Sequence, residues 1–394
     1  MKKIVIVGGG ISGLVSALTV IGDNNEVIIL EKNSTLGKKI LVTGNGRCNF
    51  LNDDFSINHF HSVEDADLSK YIKEDDKEIV LNFVKNLGIE YKIKNGYYYP
   101  FSNKASTIKD TLVIEVERNN IKVIYNYDVR SINKEGKTFV INNDIKCDYV
   151  ILSTGSKSYP VTGSTGEGYE LVKKFRHGVT ELYPSLVQVT AKGDIFKKLS
   201  GIRTDVKVGI YNKDKLIKEE IGELQLTDYG ISGICVFNLS RYVPLIENPI
   251  VKIDFLPNAG DSEKYFASKP RISVEDLLLR TLNDKLVKII LEKSNIDKNS
   301  CYQDLDIFSK QRLLSNLREF EVVVTGTKSF DSSQVTAGGV KLIGISDTFE
   351  STLVPNLYII GELLDIDGDC GGYNISFAII SAIKAGNSIR GKND

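Results

Sequence analysis

The 394-residue sequence has no tryptophan, one methionine, three histidines, five cysteines and eight prolines. Each scarcity removes a class of function. The cysteines (Cys48, Cys147, Cys235, Cys301 and Cys370) are scattered and odd in number, with no Cys-x-x-Cys pair. That pattern argues against a disulfide framework or a zinc ribbon and fits a reducing compartment. Three histidines are too few for most metal sites, and His59-x-His61 reads as a surface pair in a loop. No metal is expected. Charge of either sign is not in excess: 50 basic residues face 51 acidic ones, a formal net charge of −1. No global field therefore favours nucleic acid or an anionic membrane, and neither is an expected partner. Long apolar runs are missing too. "MKKIVIVGGGISGLVSALTVIG" opens like a signal peptide, but Gly8, Gly9, Gly10 and Gly13 break its apolar core and no stop-transfer flank follows. A cytoplasmic protein is the expectation.

What the chain has is glycine in ordered places. Residues 3–7 (KIVIV) read as a strand, followed by Gly8-Gly9-Gly10-Ile11-Ser12-Gly13, a helix over 13–21 and a second strand over 26–30. This is the spacing of a βαβ nucleotide-binding unit. Helices are expected at 76–88 and 104–119, and strands at 121–127, 137–142 and 149–153. From about residue 186 the pattern becomes alternating strands with short turns, which predicts an antiparallel sheet. Between 272 and 318 it turns helical, opening on a Ser273 cap, and "FEVVVTGT" then returns to strand. A helix near 374–389 closes the chain. The middle reads as an insertion into a nucleotide-binding fold whose last pieces lie at the C-terminus.

Gly8-x-Gly10-x-x-Gly13 has a physical task at each position. Gly8 permits the tight turn, Gly10 lets backbone approach a pyrophosphate, and Gly13 allows close helix–sheet packing. Glu31 closes the next strand, where it can accept two hydroxyl hydrogens from an adenosine ribose; a 2′-phosphate would be repelled, which argues against NADP at this place. Two later glycine turns favour FAD over NAD. "YVILSTGS" (149–156) is a buried strand ending in Thr154-Gly155. "NLYIIGELLDIDGDCGGYN" (356–374) runs from a strand into Gly361-Glu362, then an acidic glycine-rich turn and a helix. Acidic groups there suit ribityl hydroxyls, and the helix start near Tyr373-Asn374 offers positive potential to a reduced flavin. In "LVTGNGRCNF" (41–50), Gly44 and Gly46 let backbone approach a ligand. Asn45, Asn49 and backbone N–H groups can donate hydrogen bonds, and Arg47 can neutralise phosphate or orient substrate. No Walker loop is present, because Lys39 follows Gly37-Lys38 and "GSTGEG" (163–168) lacks the lysine. No second fingerprint for a separate NAD(P)H domain appears.

The sequence resembles the bacterial HI-type or YhiN-like flavoproteins, BaiN-like NAD(P)/FAD-dependent oxidoreductases, nearly end to end. The resemblance rests on "GKKILVTGNGRCNF" (37–50), "YYPFSNKAST" (98–107), "STGSKSYPVTGSTGEGY" (153–169), "LTDYGISG" (226–233), "QVTAGGV" (334–340) and "GELLDIDGDCGGYN" (361–374). It implies an α/β fold: a Rossmann-like FAD-binding domain of the GR2-type (1–185 and 334–394), an inserted antiparallel β domain (186–257 and 319–333) and a small helical domain (258–318). It also implies FAD held by Gly8, Gly10, Ser12, Gly13, Glu31, Lys32, Gly44, Asn45, Gly46, Arg47, Cys48, Asn49, Val129, Thr154, Gly155, Gly361, Glu362, Asp369, Gly372, Tyr373 and Asn374. The chain departs from the family pattern at Asp228, where His is usual, at Ile234, where Pro is common, and at Ser376-Phe377 after Ile375, where Gln-Trp is frequent. Those changes leave FAD binding untouched and loosen any borrowed substrate assignment.

No catalytic residue stands out. Arg47 beside Cys48 would favour a thiolate, and Tyr159 and Tyr373 are possible proton donors, each weighed against plain packing. The expected activity is an FAD-dependent oxidoreductase acting on a small organic substrate such as an enone or amine, with NAD(P)H as an open choice of donor. Two alternatives stand beside it: an FAD-dependent RNA-modifying enzyme, and a flavin-binding protein without turnover.

Overall fold

Four consecutive apolar residues suit a strand covered on both faces. In the computed structural model, which describes residues 1–393, Lys2–Val7 (β1) is such a strand, buried from Ile4 to Val7. Ile11–Val20 (α1) and Asn25–Leu30 (β2) follow. They are joined by Lys122–Ile124 (β3), Tyr149–Leu152 (β4) and Leu357–Ile359 (β5). All pair in parallel, in the spatial order β5-β4-β1-β2-β3. Ile6 sits beside Ile29 on one side and Ile151 on the other. The chain moves outward from β1 to β2 and β3, then crosses back to β4. The carboxyl ends of β1 and β4 therefore flank a switch point, where open α/β sheets bind ligands.

The chain divides into two compact units, residues 1–184 with 330 onward, and 185–329. In the first, the expected helices appear as Asp76–Asn86 and Ala105–Arg118. The strand expected at 137–142 is Thr138–Ile141, which pairs with Ile132–Glu135 and Ile145–Cys147 in a small antiparallel sheet of its own. The closing helix, Tyr373–Asn393, lies against α1 so closely that a Cβ on Gly386 would come within 2.6 Å of Thr19 Cγ2.

In the second unit the alternating strands close on themselves. Val189–Ala191, Gly230–Ser232, Lys215–Thr227, Arg203–Asn212, Ile250–Asp254 and Phe320–Thr327 form a barrel, each antiparallel to its neighbours. Val206, Val208, Leu224, Leu226, Val251 and Ile253 fill its interior. Helices Asp284–Ser294 and Ile307–Arg318 send Leu286, Ile290, Leu313 and Leu317 into the same hydrophobic cluster. The helical run over 273–294 is split. Ser273 caps one helix as expected, but Asn283 accepts a hydrogen bond from the Lys285 amide and starts another. Among the described residues, no helix is long and apolar enough to cross a membrane.

The junction of β1 and α1 carries the tightest backbone packing. Gly8 has φ +105°, and a Cβ there would stand 2.5 Å from the Ser153 carbonyl oxygen. A Cβ on Gly13 would drive into the Gly8 carbonyl oxygen and within 2.8 Å of Ser153 Oγ. Backbone cannot yield there as a side chain would. Gly13→Ala is expected to destabilise the first unit by about 1–3 kcal/mol, the usual range for overpacking, measured by denaturant unfolding. Wild-type stability would remove the close-packing explanation for this glycine.

Candidate functional site

At the carboxyl ends of β1 and β4 the first unit opens into a cleft of about 1380 Å³, part of it open to solvent. Its floor is the glycine turn Gly8–Ser12 and the Ser153-Thr154-Gly155 turn. Ser153 Oγ donates to the carbonyl oxygens of Val7 (3.0 Å) and Gly8 (2.9 Å), fixing the two strand ends to each other. α1 starts on Gly10 with no side chain capping its first turn. Its leading N–H groups and positive dipole end thus face the cleft, a preformed environment for phosphate.

One end is organised by Glu31. This carboxylate is buried, takes the Gly9 amide on Oε2 (2.7 Å), and takes the backbone and side-chain nitrogens of Asn33 on Oε1 (2.7 Å each). Oε2 still has a lone pair for a ribose hydroxyl. Lys32 reaches across to Thr165 Oγ1 (2.7 Å) and Glu167 (2.8 Å), joining this end to the 163–168 glycine loop. Elsewhere on the wall, Lys39 donates to Glu362 (2.7 Å) and to Ser158 Oγ (2.6 Å), and Ser158 Oγ donates to the other Glu362 oxygen (2.8 Å). Gln334, Val335, Ile366, Asn374, Ile375 and Phe377 also line the cleft.

Of the residues expected to hold a cofactor, Gly8, Gly10, Ser12, Glu31, Lys32, Val129, Thr154, Gly155, Glu362 and Asn374 line this cleft. Gly13 and Gly361 lie behind it, the latter against Ser12. The rest stand apart. Thr43 is the last lining residue of the 41–50 stretch. Positive φ at Gly44, Asn45 and Gly46 then carries the chain outward, leaving these three and Arg47 exposed. Asn49 abuts Gly372 instead, with its buried Oδ1 lacking a hydrogen-bond partner.

The proposed proton donors and thiolate are corrected by the structure. Cys48 is fully buried, and burial pushes its thiol up to about 12, so Arg47 does not make it a thiolate. Tyr373 is also buried and donates to the Asp54 carbonyl oxygen (2.8 Å), away from the cleft. Tyr159 sits in a left-handed turn whose amide bonds Phe330 O, outside the lining. Asp369 is held by His59 and His61 (3.0 and 2.8 Å) and does not face the cleft. Those histidines are therefore carboxylate partners, not a loose surface pair. Sequence reasoning missed Lys39, Asn33 and Gln334. Lys39 was visible only as the residue that spoils a Walker loop, since its partner lies 323 positions away.

Gly10 provides a test of whether a cofactor fits. Its φ of −74° suits any residue, and a Cβ there would meet nothing within 4 Å. The fold does not need glycine at this point; a ligand seated on the turn does. A parallel sheet with this turn at its switch point, a buried glutamate after β2 and further glycine turns along the same cleft defines a Rossmann flavoprotein oxidoreductase, with FAD as cofactor. The chain belongs to the HI0933-like family: the model of the HI0933-like protein Rossmann domain matches residues 2–388. It is 35% identical, over 98% of both chains, to a 3-dehydro-bile acid delta(4,6)-reductase of Clostridium scindens. It is 30% identical, again over 98% of both, to a ribosomal RNA dihydrouridine synthase of Haemophilus influenzae. A solved 3-ketosteroid delta1-dehydrogenase of Sterolibacterium denitrificans shares the fold, with a TM-score of 0.50 at 10% identity over the whole of both chains.

Two outcomes test the site. Gly10→Glu should fold with stability within about 0.5 kcal/mol of wild type yet purify colourless, because a carboxylate then occupies the phosphate position. A yellow Gly10→Glu protein would place the cofactor elsewhere. Cys48→Ser should keep full turnover, and native Cys48 should resist alkylation at neutral pH; rapid labelling would contradict its burial.

Proposed function

We propose that this protein is an FAD-dependent reductase of a carbon–carbon double bond conjugated to a carbonyl in a small organic substrate, with NAD(P)H as the source of the electron pair. The observation that carries this reading is the bond chemistry shared by two relatives that match over nearly their full lengths. A delta(4,6)-reductase of a 3-dehydro (3-keto) bile acid saturates an alkene in conjugation with a ketone, and forming dihydrouridine saturates the uracil alkene next to its carbonyl.

The cleft is consistent with this. None of the candidates Cys48, Tyr159 and Tyr373 reaches it. When bound, FAD supplies two-electron transfer to and from carbon. Around it, Glu31 would hold the ribose, the first turn of α1 the phosphates, and Glu362 with Lys39 a polar wall. The N-terminal turn of the closing helix, with Asn374 and Ile375 in the lining, would present its positive end to developing negative charge.

The net charge is −1, and several cations on the second unit are paired with carboxylates, as in Lys198–Glu292, Arg203–Glu223, Lys207–Glu219 and Lys288–Asp284. A polyphosphate backbone would want the opposite. A cytoplasmic setting goes with this reading, since NAD(P)H is available there.

Anaerobic photometry decides. NADH or NADPH should bleach the flavin, and an enone from a panel should restore the colour. Bleaching of the oxidised protein by an amine, with no reoxidation by any enone, would replace reduction by oxidation. A salt-sensitive gel shift with ribosomal RNA, together with reoxidation by uridine-containing RNA alone, would move the substrate to RNA.

A further inference from the structure

Beyond the cleft lining lies a compact polar cluster that the proposed chemistry does not use. His59 lies in the 57–61 segment and its two ring nitrogens both face carboxylates: Nδ1 is 3.0 Å from Asp369 Oδ2, and Nε2 is 3.0 Å from Asp54 Oδ2. Ionised carboxylates only accept, so two of them at the two ring nitrogens favour an imidazolium with a proton on each nitrogen. Asp369 is buried, and its other oxygen faces His61 Nε2 at 2.8 Å. The Tyr373 ring stacks on the His59 ring, with centroids 4.5 Å apart and planes at 16°, while its hydroxyl donates to Asp54 O.

The same two segments are joined through backbone. The Asp369 amide donates to His59 O (2.9 Å), and residues 367–368 pair antiparallel with 60–61. Next to this cluster, Asn374 accepts from the Gly368 amide (2.8 Å) and donates to Gly368 O (2.7 Å), and Asn374 lines the cleft. The path from His59 to the cofactor cleft is thus one turn long: Asp369, the Gly371-Gly372 pair, Tyr373, Asn374. Both glycines have positive φ, so the turn has little stiffness of its own.

We propose that His59 is a positioning residue: clamped between Asp54 and Asp369 and stacked on Tyr373, it fixes the 369–374 turn and so sets the start of the closing helix against the cofactor. The proposal rests on FAD as cofactor and not on the choice of substrate. Loss of the His59 proton would break one carboxylate contact and leave Asp369 less compensated beside the helix start. The groups facing the ring are Asp54 on its own side, Asp369 on the opposite segment, where His61 from the His59 segment shares it, and Tyr373 across the stack. The two carboxylates hold the His59 pKa above the ordinary histidine value. Its contribution is therefore complete below about pH 6.5, the unfolded value, and fades as pH rises through the higher folded value.

The test uses holoenzyme and reads FAD affinity and flavin midpoint potential from about pH 6 to about pH 9. In wild type, affinity should fall about tenfold, as expected if the competent turn drops to about a tenth of the population, and the potential should fall by more than the pH slope that proton uptake on flavin reduction itself gives. His59→Gln should show the weak, high-pH behaviour at every pH, with no step. Asp54→Asn should keep the low-pH affinity and move the step to lower pH. A His59→Gln protein with wild-type affinity, potential and pH step overturns the proposal. If His59→Gln does not fold, Asp54→Asn decides, and a step at the wild-type pH overturns it. A wild-type protein that holds no FAD at any pH removes the cofactor reading and this proposal together.

Discussion

The site depends on one close approach, α1 seated directly on the end of β1. Gly13 lies over the Gly8 carbonyl, and Ser153 bonds the Val7 and Gly8 carbonyls from the neighbouring strand. No side chain fits between these backbones. Because they touch, the uncapped first turn of α1 is held where the two strands diverge, and the cleft has a rigid floor of N–H groups. Glu31 then needs only to end β2 beside that floor. Its bond from the Gly9 amide ties the carboxylate to the same turn.

Against this floor the walls are polar pairs made over long sequence distances. Lys39 meets Glu362 and Ser158; Lys32 meets Thr165 and Glu167. Such partly exposed pairs contribute little to stability individually. Their role is to give two walls, drawn from distant parts of the chain, a fixed polar lining. Cys48 and Tyr373 are kept out of it. Cys48 is turned inward with its thiol well above neutrality, and Tyr373 commits its hydroxyl to Asp54. This arrangement suits a protein whose chemistry resides in its cofactor.

The part of this design legible in the sequence is the part that is local. β1, the glycine turn, α1 and Glu31 lie within thirty-odd consecutive residues, and hydrophobic pattern and glycine spacing determine them. The strands 149–152 and 357–359 were readable for the same reason, since each ends in its own glycine turn. What pattern does not reveal is who meets whom. Alternation marked the strands of the second unit, but closure into a barrel depends on Val189–Ala191 pairing with Phe320–Thr327 across more than a hundred residues. Lys39 looked idle because Glu362 is remote, and His59-x-His61 looked superficial because Asp369 is equally remote. Arg47 beside Cys48 misled for the opposite reason: adjacency in sequence does not place two side chains on one side of the chain. The positive φ at Cys48 sends its thiol into the core while Arg47 stays in water.

The cleft joins residues 7–43 to residues 334–378, and the closing helix packs on α1. During synthesis the fingerprint turn leaves the ribosome more than three hundred residues before its opposite wall. Between them come the whole second unit and its barrel. The nascent sheet is therefore built in stages, β1 lacking its β4 neighbour until residue 152 is made and β4 lacking β5 until residue 359. The cleft is complete only when residues 334–378 stand against residues 7–43, so that holding FAD reports that these two distant stretches of the first unit have met.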